Sequence, residues 1–105
     1  MVAPAAGSVV LVRFPFSDLS STKLRPAIVM AATGRDDFIL CQVTSNPYAD
    51  PTAVQLTEED FASGSLRRLS YARPGKLFTG SGSLLVTAVG KLTDEAFGRV
   101  IEAIV

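Results

Sequence analysis

Arg25 stands directly before Pro26, and Pro26 opens an unbroken apolar run, residues 27–30. Proline has no N–H and fits best at the first residue of a strand or on an edge. It also drives the residue before it towards extended backbone. The pattern therefore fixes a guanidinium at the mouth of a buried strand. One meaning is a strand-end arginine in an ordinary surface ion pair, which contributes little. The other is a rigid planar cation able to grip two oxygens of a phosphate. Thr44 and Ser45 close a second apolar run, residues 38–43. Their hydroxyls either bond the neighbouring backbone in a turn or face a ligand. Ser70, Arg73 and Lys76 form a third polar group, either a solvated edge or a further anion-binding surface.

What the chain lacks narrows the chemistry. It has no histidine, which removes the commonest general base and the commonest metal ligand. With a single cysteine, Cys41, no metal site is expected and no internal disulfide can form. Cys41 lies inside an apolar run and reads as a small core residue rather than a reactive thiol. A reducing, cytoplasmic setting is the simplest expectation. Residues 1–6 show no basic region followed by a long apolar core, so a secretory signal is not expected. No apolar run approaches the roughly 18 residues of a membrane span. The 48% apolar content is that of a globular chain, and 105 residues suit one domain, 1–105, with a modest core. Net formal charge is zero, but its distribution is uneven. Residues 61–93 contain no acid and five bases, Arg67, Arg68, Arg73, Lys76 and Lys91. A neutral chain can still carry one basic face.

Seven short strands are needed to position these groups. They are expected at residues 9–14, 25–31, 38–43, 53–56, 66–71, 76–79 and 84–92, with turn chemistry between them. Pro15 should end the first, because it cannot donate to a ladder. Residues 17–23 read as a polar loop. Thr57 can cap a helical turn through residues 58–61, ended by Gly64. Arg73-Pro74-Gly75 should close the fifth strand, 80–82 should be a tight turn, and Gly90 marks a bend or bulge. Thr93, followed by Asp94 and Glu95, opens the one clear helix, with Phe97, Val100, Ile101 and Ile104 on one apolar stripe. The pattern is mainly β: a small, strongly bent barrel or roll of about seven strands with a C-terminal α-helix.

If the second and third strands pair antiparallel across Gly34, matching Met30 with Ile39 puts Arg25 opposite Thr44. This brings a cation and two hydroxyls to one rim.

With those residues in hand, the chain resembles the MazF/PemK (Kid) toxins of bacterial type II toxin–antitoxin systems. The likeness runs over residues 7–104. It is carried by Gly7-x-Val9-Val10-Leu11-Val12, by Phe14-Pro15-Phe16-Ser17-Asp18 and by Lys23-Leu24-Arg25-Pro26-Ala27-Ile28-Val29. It continues in Gln42-Val43-Thr44-Ser45, in Ser70-Tyr71-Ala72-Arg73-Pro74 with Lys76-Leu77, and in Val89-Gly90-Lys91-Leu92. The resemblance implies an SH3-like barrel, a homodimer, and a metal-independent, cofactor-free endoribonuclease acting on single-stranded RNA. It carries the catalytic roles onto Arg25 and Thr44. RNA contacts fall on Ser45, Ser70, Arg73 and Lys76, with Asp18 and Lys23 from the preceding loop.

The implied reaction is attack of a ribose 2′-OH on the adjacent phosphate, giving a 2′,3′-cyclic phosphate and a free 5′-OH. Negative charge gathers on the non-bridging oxygens, where a fixed guanidinium is worth most. An arginine is a permanent cation, so Arg25 reads as a stabiliser or acid rather than the base; Asp18 is the candidate base. A cognate antitoxin with a disordered, acidic inhibitory segment is the expected partner, matching the acid-free span. Two other classes share this fold. A CcdB-like gyrase poison would end in an aromatic-containing tail, whereas this chain ends Glu102-Ala103-Ile104-Val105 and has no tryptophan. A non-catalytic SH3-like interaction module would need an exposed aromatic groove, and most of the six Phe and two Tyr fall in core-like strand positions.

Overall fold

A computed structural model describes residues 4–15, 22–46 and 50–104. Seven strands form one antiparallel sheet: β1 (Ser8–Pro15), β2 (Thr22–Ala32), β3 (Asp37–Thr44), β4 (Val54–Leu56), β5 (Phe61–Gly64), β6 (Ser70–Ser81) and β7 (Leu85–Leu92). Their order is β4-β6-β3-β2-β1-β7-β5. The sheet curls into a half-barrel, and the helix α1 (Asp94–Ile104) packs on it. The Ala96 N–H donates to Thr93 Oγ1 at 3.1 Å, the N-cap that the sequence predicts.

The central strands are buried on both faces, which is why they read as continuous apolar runs. Val9, Ile28, Cys41 and Val43 pack with Ala96 and Val100 of α1. Val10, Val12, Ala27, Val29 and Leu40 fill the other side of the sheet with Phe38 and Leu85. Phe97 and Ile104 also pack on the helix-side core, but Ile101 is 40% exposed. The buried helix stripe is thus centred on Ala96 and Val100, one step round from the expected one.

Other boundaries differ for local reasons. Thr22 and Lys23 belong to β2, paired with Pro15 and Phe14, and are not loop. Residues 66–69 are not strand; β6 begins at Ser70. It does not close at Arg73-Pro74-Gly75 but runs on to Ser81, absorbing residues 76–79 and most of the expected turn at 80–82. The proline instead forces a bulge. Pairing jumps from Cys41↔Leu77 to Val43↔Ala72, leaving residues 73–76 opposite Gln42 alone. Gly64 ends β5 rather than the turn before it. It has φ 68° and lies so close to β7 that a Cβ would collide with the Val89 carbonyl oxygen. Gly90 sits beside the expected bulge, where β1 pairing slips between Val9↔Gly90 and Val10↔Ala88.

Candidate active site

The hairpin of β2 and β3 builds the site. Its ladder runs Val29↔Leu40, Ile28↔Cys41, Ala27↔Gln42, and the same register continued by two residues sets Arg25 against Thr44. The expected pair Met30–Ile39 is absent, because a bulge at Met30 shifts Ile39 onto Ala31. That slip lies beyond the site and leaves its end of the hairpin in register. On the other side Arg25 pairs with Val12 of β1, and Thr44 pairs with Tyr71 of β6. Four neighbouring strands, β6-β3-β2-β1, therefore hold the two residues.

Arg25, Thr44, Ser45 and Ser70 line one cavity of about 250 Å³ together with Arg68. Leu11, Leu24, Pro26, Val43 and Leu66 supply its apolar wall, and among the described residues no acid lines it. Cations and hydroxyls on an apolar wall suit an anion with an attached apolar or aromatic group. Among the described residues no group of three or more His, Cys, Asp or Glu side chains is placed to hold a metal ion.

The hydroxyls are not idle. Thr44 Oγ1 donates to the Asn46 carbonyl at 3.0 Å and accepts the Asn46 N–H at 3.1 Å. This is the backbone-bonding turn that the residue types allow, and Thr44 nevertheless lines the cavity. A hydroxyl has one proton and two lone pairs, so one acceptor position remains. Ser70, 3% exposed, donates to the Arg68 carbonyl at 3.2 Å.

Arg73 and Lys76 are not in this lining. Both sit in the β6 bulge. Arg73 Nε bonds Asp50 Oδ2 at 3.4 Å, and its carbonyl accepts the Cys41 thiol at 3.3 Å. Lys76 lines a separate cavity with Gln42, Leu77 and Phe78. Burial pushes the Cys41 thiol up to about 11, countered in part by the hydrogen bond to the Arg73 backbone. Cys41 is thus the core residue the sequence indicates. Asp18 lies outside the described residues, as does the side chain of Lys23. Arg68 is the cavity residue that sequence reasoning did not single out. Its one signal was membership of the acid-free span.

Residues 5–105 match the family described as PemK-like, MazF-like toxin of type II toxin-antitoxin system. No curated protein matches by sequence. Among solved structures, MazE-MazF (Form-II) from Deinococcus radiodurans superposes with a TM-score of 0.76 at 18% identity, over 96% of this chain and 91% of that one. An endoribonuclease in complex with its cognate antitoxin from a mycobacterial species gives 0.70 at 19%, over 99% and 91%. The Mycobacterium tuberculosis toxin MazF-mt6 gives 0.71 at 17%, over 92% and 91%. At these identities the structures establish a shared fold, and the family match spans nearly the whole sequence. The chain belongs to the PemK-like, MazF-like toxins of type II toxin–antitoxin systems.

Proposed function

We propose that this toxin is a metal-independent, sequence-preferring endoribonuclease of the cytoplasm that cleaves single-stranded RNA by 2′-OH attack. The observation that carries the reading is the cavity that Arg25 shares with Thr44 and Ser45, at the end of one hairpin. In this reading the scissile phosphate enters the cavity against Arg25. As the phosphorus becomes five-coordinate, its non-bridging oxygens gain charge. A fixed cation beside the apolar wall of Leu11, Pro26 and Val43 stabilises them more than it could in water. Thr44 orients the phosphate. To donate to a phosphate oxygen its proton must leave the Asn46 carbonyl, whereas its spare lone pair can accept only from a group that carries a proton, such as the 2′-OH. The 2′-OH proton goes to a base from the segment before β2, for which Asp18 is the candidate; as the 2′-O–P bond forms the P–O5′ bond breaks, and the leaving 5′-oxygen takes a proton from solvent.

The expected partners follow from the same surface. A homodimer would cover some of the large apolar side chains left exposed, among them Leu24, Leu69 and Leu77. An antitoxin with a disordered, acidic inhibitory segment would meet the exposed bases Arg67, Arg68 and Lys76. Purified protein incubated with mixed-sequence single-stranded RNA and EDTA tests the activity. Fragments ending in 2′,3′-cyclic phosphate are expected, and intact RNA at high enzyme concentration would overturn the reading.

A further inference from the structure

We infer that Arg68 is a second phosphate-binding group of the cavity, and that Ser70 acts by positioning Arg68 rather than by touching RNA. The inference rests on the ribonuclease reading and extends it to the nucleotide next to the scissile one. Arg68 lines the cavity that Arg25 lines, and it is exposed. Among the described residues its side chain has no ion pair or hydrogen bond, in contrast to Arg73 and Arg99. A cation in a cavity that no described acid lines, committed to no other described group, is placed for an anion that arrives with the ligand.

Its backbone is held from both sides. Arg67, just before it, has φ 60°. A non-glycine residue occupies that left-handed region at a cost, and stays there only where its surroundings over-determine it. The surroundings here are specific. The Arg67 N–H donates to Ser65 Oγ at 2.8 Å, Ser65 Oγ donates to Glu58 Oε1 at 3.0 Å, and the Ser65 N–H donates to the Val89 carbonyl at 3.2 Å. On the far side Ser70 Oγ donates to the Arg68 carbonyl at 3.2 Å. A serine has one hydroxyl proton. While it serves Arg68, Ser70 cannot donate to a phosphate, and its depth leaves little of it for RNA to reach. The turn thus presents Arg68 and hides Ser70.

The test is equilibrium binding of a mixed-sequence single-stranded RNA made uncleavable by 2′-O-methyl riboses, measured from about 0.05 to 0.2 M salt. Arg68→Ala should weaken binding several-fold and reduce the slope of log K against log salt by about 0.7, the share of one phosphate contact on a single strand. Arg68→Lys should restore the slope. At sub-saturating enzyme, Arg68→Ala should lower kcat/KM by the same several-fold as it weakens binding. Ser70→Ala should weaken binding alone but add nothing in the Arg68→Ala background. If Ser70→Ala does not fold, Ser70→Cys, a weaker donor of similar size, takes its place in the cycle. Wild-type binding with an unchanged slope in Arg68→Ala overturns the assignment of Arg68 and leaves the ribonuclease reading standing. Additive losses from Ser70 and Arg68 would show that Ser70 meets RNA itself, and overturn its positioning role. A wild-type protein that neither binds nor cleaves RNA removes the parent reading, and this inference with it.

Discussion

Arg73 Nε lies 3.4 Å from Asp50 Oδ2, with the two side chains 18% and 14% exposed. The pair ties the β6 bulge to the segment that leads into β4. The Thr52 hydroxyl and backbone N–H, and then Arg73, hold the Asp50 carboxyl below the usual carboxylate range. A guanidinium held this way can offer a phosphate only N–H groups other than Nε, beside a carboxylate that repels the anion. Arg73→Ala is therefore expected to lower the melting temperature, Asp50→Ala to lower it too, and the double variant to melt no lower than the worse single one. The RNA salt slope should fall less in Arg73→Ala than in Arg68→Ala. A full unit of slope lost with no change in melting temperature would return Arg73 to the RNA surface.

Thr44 serves a turn and, in the proposed mechanism, a phosphate, and two substitutions separate these roles. Thr44→Val removes both bonds to Asn46. Asn46 is exposed, so water can replace them, and the stability loss should be about 1 kcal/mol in denaturant melts. Single-turnover cleavage should fall as well. Thr44→Ser keeps the hydroxyl and should retain most of both. Thr44→Val protein that is less stable yet cleaves at the wild-type rate would assign the hydroxyl to the turn alone.

Stability should fall at both ends of the pH range. Burial pushes the Asp60 carboxyl up, but the Thr57 backbone N–H and the Arg99 guanidinium outweigh it and bring it below its ordinary 3.8. Asp50 is lowered from the same value. The unfolded chain then takes up protons first as pH falls, so the stability these two contribute is present above about pH 4 and is lost through their folded values. Cys41 works in the opposite direction. Its thiol ionises near 9.0 when unfolded and near 11 when buried, so stability should drop as pH rises from about 9 to 11, by on the order of 2 kcal/mol. Cys41→Ala melts over that range should lack this component. An alkaline slope identical to wild type would mean that Cys41 is not sealed from water.

The core of the site could be read from residue order because short-range rules determine it. Pro26 marks a strand start, the apolar runs give two strands, and an antiparallel hairpin then leaves only the register free. The bulge at Met30 costs that register a residue at the far end and nothing near Arg25. Arg68 was hidden for a different reason. Residues 66–71 read as a strand between the turn signals at Gly64 and Pro74-Gly75, and the left-handed residue that breaks them is Arg67, a residue type that signals no such turn. The contacts that stabilise it act through Ser65, which bonds Glu58 seven residues before it and Val89 of β7, distant in sequence. Pro74-Gly75 misled in the other direction. It looks like a strand end, yet a strand can carry both in a bulge when its neighbour, here β3, keeps pairing on either side.

Arg25 carries the chemistry in this reading, and the informative change is the mildest one. Arg25→Lys keeps the positive charge but loses the planar fork that can hold two oxygens at once. A phosphate passing to trigonal-bipyramidal geometry moves its oxygens apart, and a point charge on a flexible stem follows only one of them. The strand should form regardless, since Pro26 and the buried residues Ala27, Ile28 and Val29 define it without the side chain. Arg25→Lys is therefore expected to melt close to wild type and to bind uncleavable RNA within a few-fold. Its single-turnover cleavage should be about 100-fold slower or worse, as when one fixed oxyanion donor is removed from other enzymes. The comparison with Arg68→Ala is the informative one: Arg25→Lys should lose single-turnover rate with affinity largely kept, and Arg68→Ala should lose affinity. If Arg25→Lys cleaves at the wild-type single-turnover rate, the fork is not what stabilises the transition state, and the catalytic role must pass to another group in the cavity.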